Sequence, residues 1–277
     1  MIMYDFLKED DADFPVLERF KPYLVTTPPE DSFSQYLLVS MSEAAREDAR
    51  KNLEREGCLE AKRTEAQFAS CNPVLSSKHK LFMFDIGNVV VNNISMLGKI
   101  SGLLGIEKEA LIADYRHYVF PLMEGLVSEA QYWQHITHVF GVSVLGNPFA
   151  EAFKPVFNEP IVTLIGALRA KGHRVVCASN TIQSHWNVLE EMGALALFDK
   201  AYASHEMGLS KPSSQFYTSI LASEGVVAEQ AFFIDDRMDN IESSRSLGIA
   251  SFLYADLPSG KKDERLYKIF RAYLSHP

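Results

Sequence analysis

The stretch Lys80–Asn93, KLFMFDIGNVVVNN, decides how the rest of the chain is read. Four apolar or aromatic residues, Leu81 to Phe84, run into one carboxylate, Asp85, and a glycine, an asparagine and three valines come soon after. An unbroken apolar run of this kind fits a strand covered on both faces, as in a parallel sheet. Open sheets of that type bind ligands beyond the carboxyl ends of their strands. Asp85 therefore falls where chemistry is expected, although an aspartate there also serves as a turn or helix cap, a metal ligand or a nucleophile.

Four further strand candidates follow: RVVCAS from Arg174, KAYAS from Lys200, AFFID from Ala231 and ASFLY from Ala250. Helical patterns near 160–172, 183–193, 213–224 and 239–247 separate them. Apolar strands alternating with helices predict an α/β fold with a doubly wound, Rossmann-like parallel sheet. The block 95–155 breaks the alternation with three helical stretches in a row, SMLGKISGLLG, KEALIADYRHYVF and SEAQYWQHITHVF. Inserted after the first strand, they are expected to form a helical cap over the same sheet end and to act as a lid. The division expected is an accessory segment at 1–78, an α/β core at 79–94 and 156–277, and the cap at 95–155.

Composition narrows the possibilities. The chain has 277 residues, is 47% hydrophobic and carries a net charge of −9. Nucleic acid is not an expected partner, because there is no basic cluster to face a phosphate backbone. No apolar run approaches the roughly 20 residues that cross a bilayer, and the acidic start MIMYDFLKEDDADF does not resemble a signal peptide. The three cysteines Cys58, Cys71 and Cys177 form no CxxC pattern, so a reduced, cytoplasmic protein is expected. Within residues 1–78, SMSEAAREDARKNLEREG reads as a charged surface helix, capped by Ser40 or Ser42 and stopped by Gly57. No chemical motif accompanies it; an accessory layer, or a surface for a protein partner or a second copy, is expected there.

The other strand ends carry polar residues of their own. Ser179 and Asn180 close HRVVCASNT, where a hydroxyl and backbone N–H groups either hold phosphate oxygens or cap the next helix. Lys211, in MGLSKPSSQFY, either faces a developing negative charge or lies in a solvated turn. Asp235 and Asp236 end AFFIDDRMDN, and two adjacent carboxylates favour an oxygen-seeking cation such as Mg²⁺.

The order FDIGNVVV, CASNT, SKPSSQFY, FFIDDRMDN resembles the four motifs of the haloacid dehalogenase-like hydrolase superfamily, over about residues 80–255. FDIGNVV with SNTIQSH is similar to a phosphatase branch that includes enzymes acting on glucose 1-phosphate, and EGLVSEAQYW resembles that branch's small helical cap. The resemblance implies a small phosphorylated substrate, such as a sugar phosphate, and an aspartyl-phosphate formed on Asp85. It implies Mg²⁺ held by Asp85, the Gly87 carbonyl, Asp236 and, directly or through water, Asp235. Ser179 and Asn180 would bind phosphoryl oxygens, Lys211 would neutralise charge, and Asn240 would steady the acid loop.

Most phosphatases of the superfamily carry a second aspartate two positions after the nucleophile, to protonate the leaving alcohol. Here that position is Gly87. A readily departing alcohol, a metal-bound water or His185 would compensate. Carbon-directed dehalogenation needs no such acid, but it needs no acid pair either, and Asp235 with Asp236 argues against it. The alternative is a slow or inactive binding or regulatory protein that works through its N-terminal segment.

Overall fold

The computed structural model describes residues 73–254 and 264–275. The expectations for residues 1–72, including the charged helix ending at Gly57, lie outside the described residues. Five parallel strands form the main sheet: β1 (Leu81–Phe84), β4 (Arg174–Ser179), β5 (Lys200–Ala203), β6 (Ala231–Asp235) and β7 (Ala250–Leu253). Their order is β5-β4-β1-β6-β7, with β1 central and every neighbouring pair parallel.

The central position explains the unbroken apolar run. Side chains alternate across a strand, so Phe82 and Phe84 face one layer while Leu81 and Met83 face the other. The first layer holds α5 (Glu159–Ala170), α6 (Gln183–Glu191) and α10 (Arg265–Ser275), whose Ile165, Leu189 and Phe270 pack there. On the second layer α8 (Ser214–Glu224) and α9 (Met238–Ser246) contribute Phe216, Ile220 and Ile241. The helix α8 begins at Ser214, within one residue of the helical pattern near 213–224. A short helix, α7 (Ser204–Met207), follows β5 directly.

Between β1 and α5 the chain passes through a two-residue strand β2 (Val91–Asn92), four helices, and β3 (Val156–Phe157). These are α1 (Leu97–Leu104), α2 (Lys108–Met123), α3 (Glu129–Phe140) and α4 (Pro148–Ala152). The strands β2 and β3 pair antiparallel, so the chain leaves and re-enters the core side by side. Sequence patterning missed this pair and α4, because two to five residues are too few to show a period.

Local chemistry fixes the insert's helices. Ser128 and Gln131 form a reciprocal box at the start of α3: Gln131 N donates to Ser128 Oγ (3.2 Å) and Ser128 N to Gln131 Oε1 (2.9 Å). The Glu107 carboxylate accepts from the backbone N–H groups of Glu109 and Ala110 at the start of α2. The insert has its own apolar centre, built from Tyr115, Tyr118, Tyr132, Trp133 and Phe149. The core's Ile182 joins that cluster, which seats the helices next to the loop after β4.

Candidate active site

The side chains singled out at the strand ends converge. Asp85 follows β1, and β1 lies between β4 and β6, so the loops carrying Ser179–Asn180 and Asp235–Asp236 flank it. Lys211 reaches in from the loop after β5 and α7. Its Nζ lies 2.8 Å from Asp85 Oδ1 and 2.7 Å from Asp235 Oδ2. The ammonium is 1% exposed and Asp235 is fully buried, so these pairs work at low dielectric. Burial opposes the charge on Lys211, and the Asp235 and Asp85 carboxylates more than reverse this, raising its pKa above the ordinary lysine range.

Asp235 is held on all sides. Its Oδ1 accepts from Arg237 N (2.8 Å) and Asn240 Nδ2 (2.9 Å); its Oδ2 accepts from Lys211 and again from Asn240 (3.0 Å). Asn240, one turn into α9, thus steadies the acid loop. Asp236 is half-buried and accepts from Asn88 Nδ2 at 2.9 Å. Asn88 takes a left-handed backbone, with φ of 56°, which asparagine tolerates better than most residues. No local pattern in the sequence marks it. Asn180 is clasped to the lysine loop: its Nδ2 donates to the Lys211 carbonyl and its Oδ1 accepts from Lys211 N, both at 2.8 Å. Ser179 is buried at the end of β4.

This set is short of positive charge. Asp85, Asp235 and Asp236 each bring a carboxylate oxygen within 4.8 Å of the others, against one ammonium. Burial, followed by Asp235 and Asp236, raises the Asp85 pKa to about 7 despite Lys211. Burial and Asp235 likewise raise Asp236. Three crowded oxygens whose charge is incompletely offset suit a hard divalent cation, so the donor set fits one.

His185, considered above as a proton source, is elsewhere. Its ring stacks on Phe153 at 4.1 Å and meets Phe149 edge-on at 6.1 Å, inside apolar packing. Burial lowers its pKa to about 3, which leaves it neutral. Two contacts invisible in the sequence join the insert to the core here. Glu124 Oε1 accepts from Ser210 Oγ at 2.5 Å. Glu129 accepts from Ser184 N at 2.8 Å and from its hydroxyl.

The family model for haloacid dehalogenase-like hydrolases matches residues 79–248, more than half of the chain. The chain belongs to this family. Drimenol cyclase drtB of Aspergillus calidoustus is 40% identical over 68 residues, which is 24% of this chain and 12% of that protein. Sesquiterpene phosphatase astK of Aspergillus oryzae is 27% identical over 97 residues, 35% of this chain and 50% of that protein. The chain thus spans half or less of the length of these two curated relatives. A solved HAD family enzyme from Bacteroides thetaiotaomicron, crystallised as a magnesium complex, superposes with a TM-score of 0.60 at 22% identity. The match covers 69% of this chain and all of that one, and it shows the fold. Among the described residues, no helix is long and apolar enough to cross a membrane.

Proposed function

We propose that this haloacid dehalogenase-like hydrolase is a magnesium-dependent phosphatase of small phosphorylated metabolites. The observation that carries this is Lys211, buried between Asp85 and Asp235 with Asp236 alongside. In this reading an Asp85 carboxylate oxygen attacks phosphorus and the bond from phosphorus to the alcohol oxygen breaks. Ser179 Oγ and the Asn180 backbone N–H donate to the phosphoryl oxygens, and the Lys211 ammonium offsets their growing charge. Water then attacks the phosphorus of the aspartyl-phosphate, its bond to Asp85 breaks, and phosphate leaves. Positioning and charge compensation supply most of the rate in such transfers. Asp85, the Gly87 carbonyl and Asp236 would hold Mg²⁺, with Asp235 reaching it through water because Lys211 and Asn240 already occupy its oxygens. When bound, the cation supplies charge neutralisation at the phosphoryl group.

On substrate, the motif resemblance points to sugar phosphates. The names of the two fungal relatives favour a second class, the monophosphates of isoprenoid alcohols. We likewise propose that the chain divides into core, cap and an N-terminal accessory segment, that it is cytoplasmic, and that this segment docks a partner or a second copy.

The test is phosphate release by the full chain from glucose 1-phosphate, farnesyl phosphate, acetyl phosphate and nucleotides, with Mg²⁺ and with EDTA. Release that requires the metal and disappears in Asp85→Asn is expected. A folded, metal-binding protein that releases nothing from any of them would favour the regulatory alternative.

A further inference from the structure

An alcohol departs from phosphorus as a high-energy alkoxide unless a proton reaches its oxygen, and a placed acid contributes about 10²–10⁴-fold. Taking the phosphatase reading as given, the described residues at the sheet end include no suitable donor. The Lys211 ammonium is bound to two carboxylates, and losing its proton would leave both uncompensated. Asp235 accepts hydrogen bonds at both oxygens. A side chain at position 87 would meet an occupied space, since a Cβ there would lie 2.9 Å from Ile94 Cδ1. His185 is neutral and enclosed by phenylalanines.

The insert brings one carboxyl to this loop. The turn after α2 presses against the core at the carboxyl end of β5: Gly125 has φ of 67°, and a Cβ on it would lie 2.6 Å from the His205 carbonyl oxygen. Only glycine permits that approach. It sets Glu124, the residue before, against Ser210, whose hydroxyl donates to Oε1 and whose next neighbour is Lys211. The insert's other acids are placed differently. Glu107 caps α2, Glu109 is exposed in the first turn of α2, Asp114 pairs with His135, Glu129 binds Ser184, and Glu151 accepts from Asn147 N.

We propose that Glu124, carried by the inserted helices, is the proton donor to the leaving alcohol. As the bond from phosphorus to the alcohol breaks, the Glu124 O–H bond breaks with it. The proton passes to the alcohol oxygen, and Glu124 becomes a carboxylate held by Ser210 Oγ. When water attacks the aspartyl-phosphate, that carboxylate takes a proton from it and is restored. Burial favours the protonated form beforehand, raising the pKa of Glu124 above the usual glutamate range. The insert would then supply a reacting group as well as covering the site.

The test compares two leaving groups with Mg²⁺ present. 4-Nitrophenol departs as an anion without help, whereas a simple alkyl alcohol does not. In Glu124→Gln, kcat/KM, which reports formation of the aspartyl-phosphate and departure of the alcohol, should fall about 10²-fold or more on an alkyl phosphate, with little change in kcat/KM on 4-nitrophenyl phosphate. Ser210→Ala, which keeps the carboxyl but loses its holder, should show the same selectivity at smaller size, and it serves if Glu124→Gln does not fold. Equal losses on both substrates, or none on either, overturn the inference. So does an unaltered enzyme that turns over only the nitrophenyl ester, which leaves the phosphatase reading intact. An unaltered chain that hydrolyses neither ester overturns that reading and the inference with it.

Discussion

The sheet end and the inserted helices are built on opposite plans. At the sheet end Asp85, Lys211, Asp235 and Asn240 interlock at 2.7–3.0 Å, so moving any one of them disturbs the rest. In the insert, Tyr132 stacks on Phe149 with ring centres 5.5 Å apart and Trp133 meets Phe149 at 4.3 Å. Charge and geometry make the first region; apolar shape makes the second. A site of the first kind is intolerant of isosteric change, because each group neutralises another. A region of the second kind tolerates polar change at its surface but depends on volume at its centre.

The most damaging way to test this contrast is Lys211→Met, which keeps the stem and deletes the charge. Two buried carboxylates would lose their partner, at a cost of about 3–5 kcal/mol. Turnover should also fall by about 10²–10³-fold or more, since a preorganised charge is lost. Urea unfolding without added metal and phosphate release with it measure the two effects. A variant within about 1 kcal/mol of the parent would show that the pair contributes no more than a surface ion pair.

Next in size is Phe149→Ala. Phe149 is fully buried among Tyr115, Tyr132 and Trp133, and truncating such a ring costs about 3–5 kcal/mol. The loss should appear in the unfolding midpoint, while a small ester is still hydrolysed at 25 °C by the folded fraction. An equal collapse of activity in fully folded protein would mean that the aromatic centre sets the geometry of the sheet end, and that the contrast is false.

How far each region was legible follows from the same difference. The five strands were readable because β1, β4 and β6 are buried on both faces, which forces apolar runs such as FMF and VVCA that end abruptly in Asp85, Ser179 and Asp235. The four site segments were readable because each is contiguous and closes a strand or precedes a helix. The contacts that join them were not. Asn88 to Asp236 spans 148 residues and Glu124 to Ser210 spans 86, and no local pattern marks either pair. His185 drew attention because it lies beside a motif, but its ring faces Phe153, and only the fold shows that.

The smallest effect tests the histidine at the boundary between the two regions. In the folded protein burial lowers the His185 pKa from 6.5 to about 3, whereas the unfolded chain takes up a proton near pH 6.5. Between those values the unfolded state binds the extra proton, so this stabilising contribution is complete above pH 6.5 and is lost as the pH falls toward 3. At pH 5 the loss is about 2 kcal/mol. The raised pKa values of Asp85, Asp236 and Glu124 act in the opposite sense, each adding stability at low pH that is lost as the pH rises. A pH–stability curve of the parent alone would therefore mix the two. His185→Phe keeps a ring against Phe153 and removes the titration, so the difference between the two curves isolates the histidine. A difference that widens steadily from pH 6.5 to 4, in favour of the variant, is expected in thermal melts. Parallel curves would mean that the imidazole is already protonated when folded, and so reaches a polar partner rather than lying among the phenylalanines.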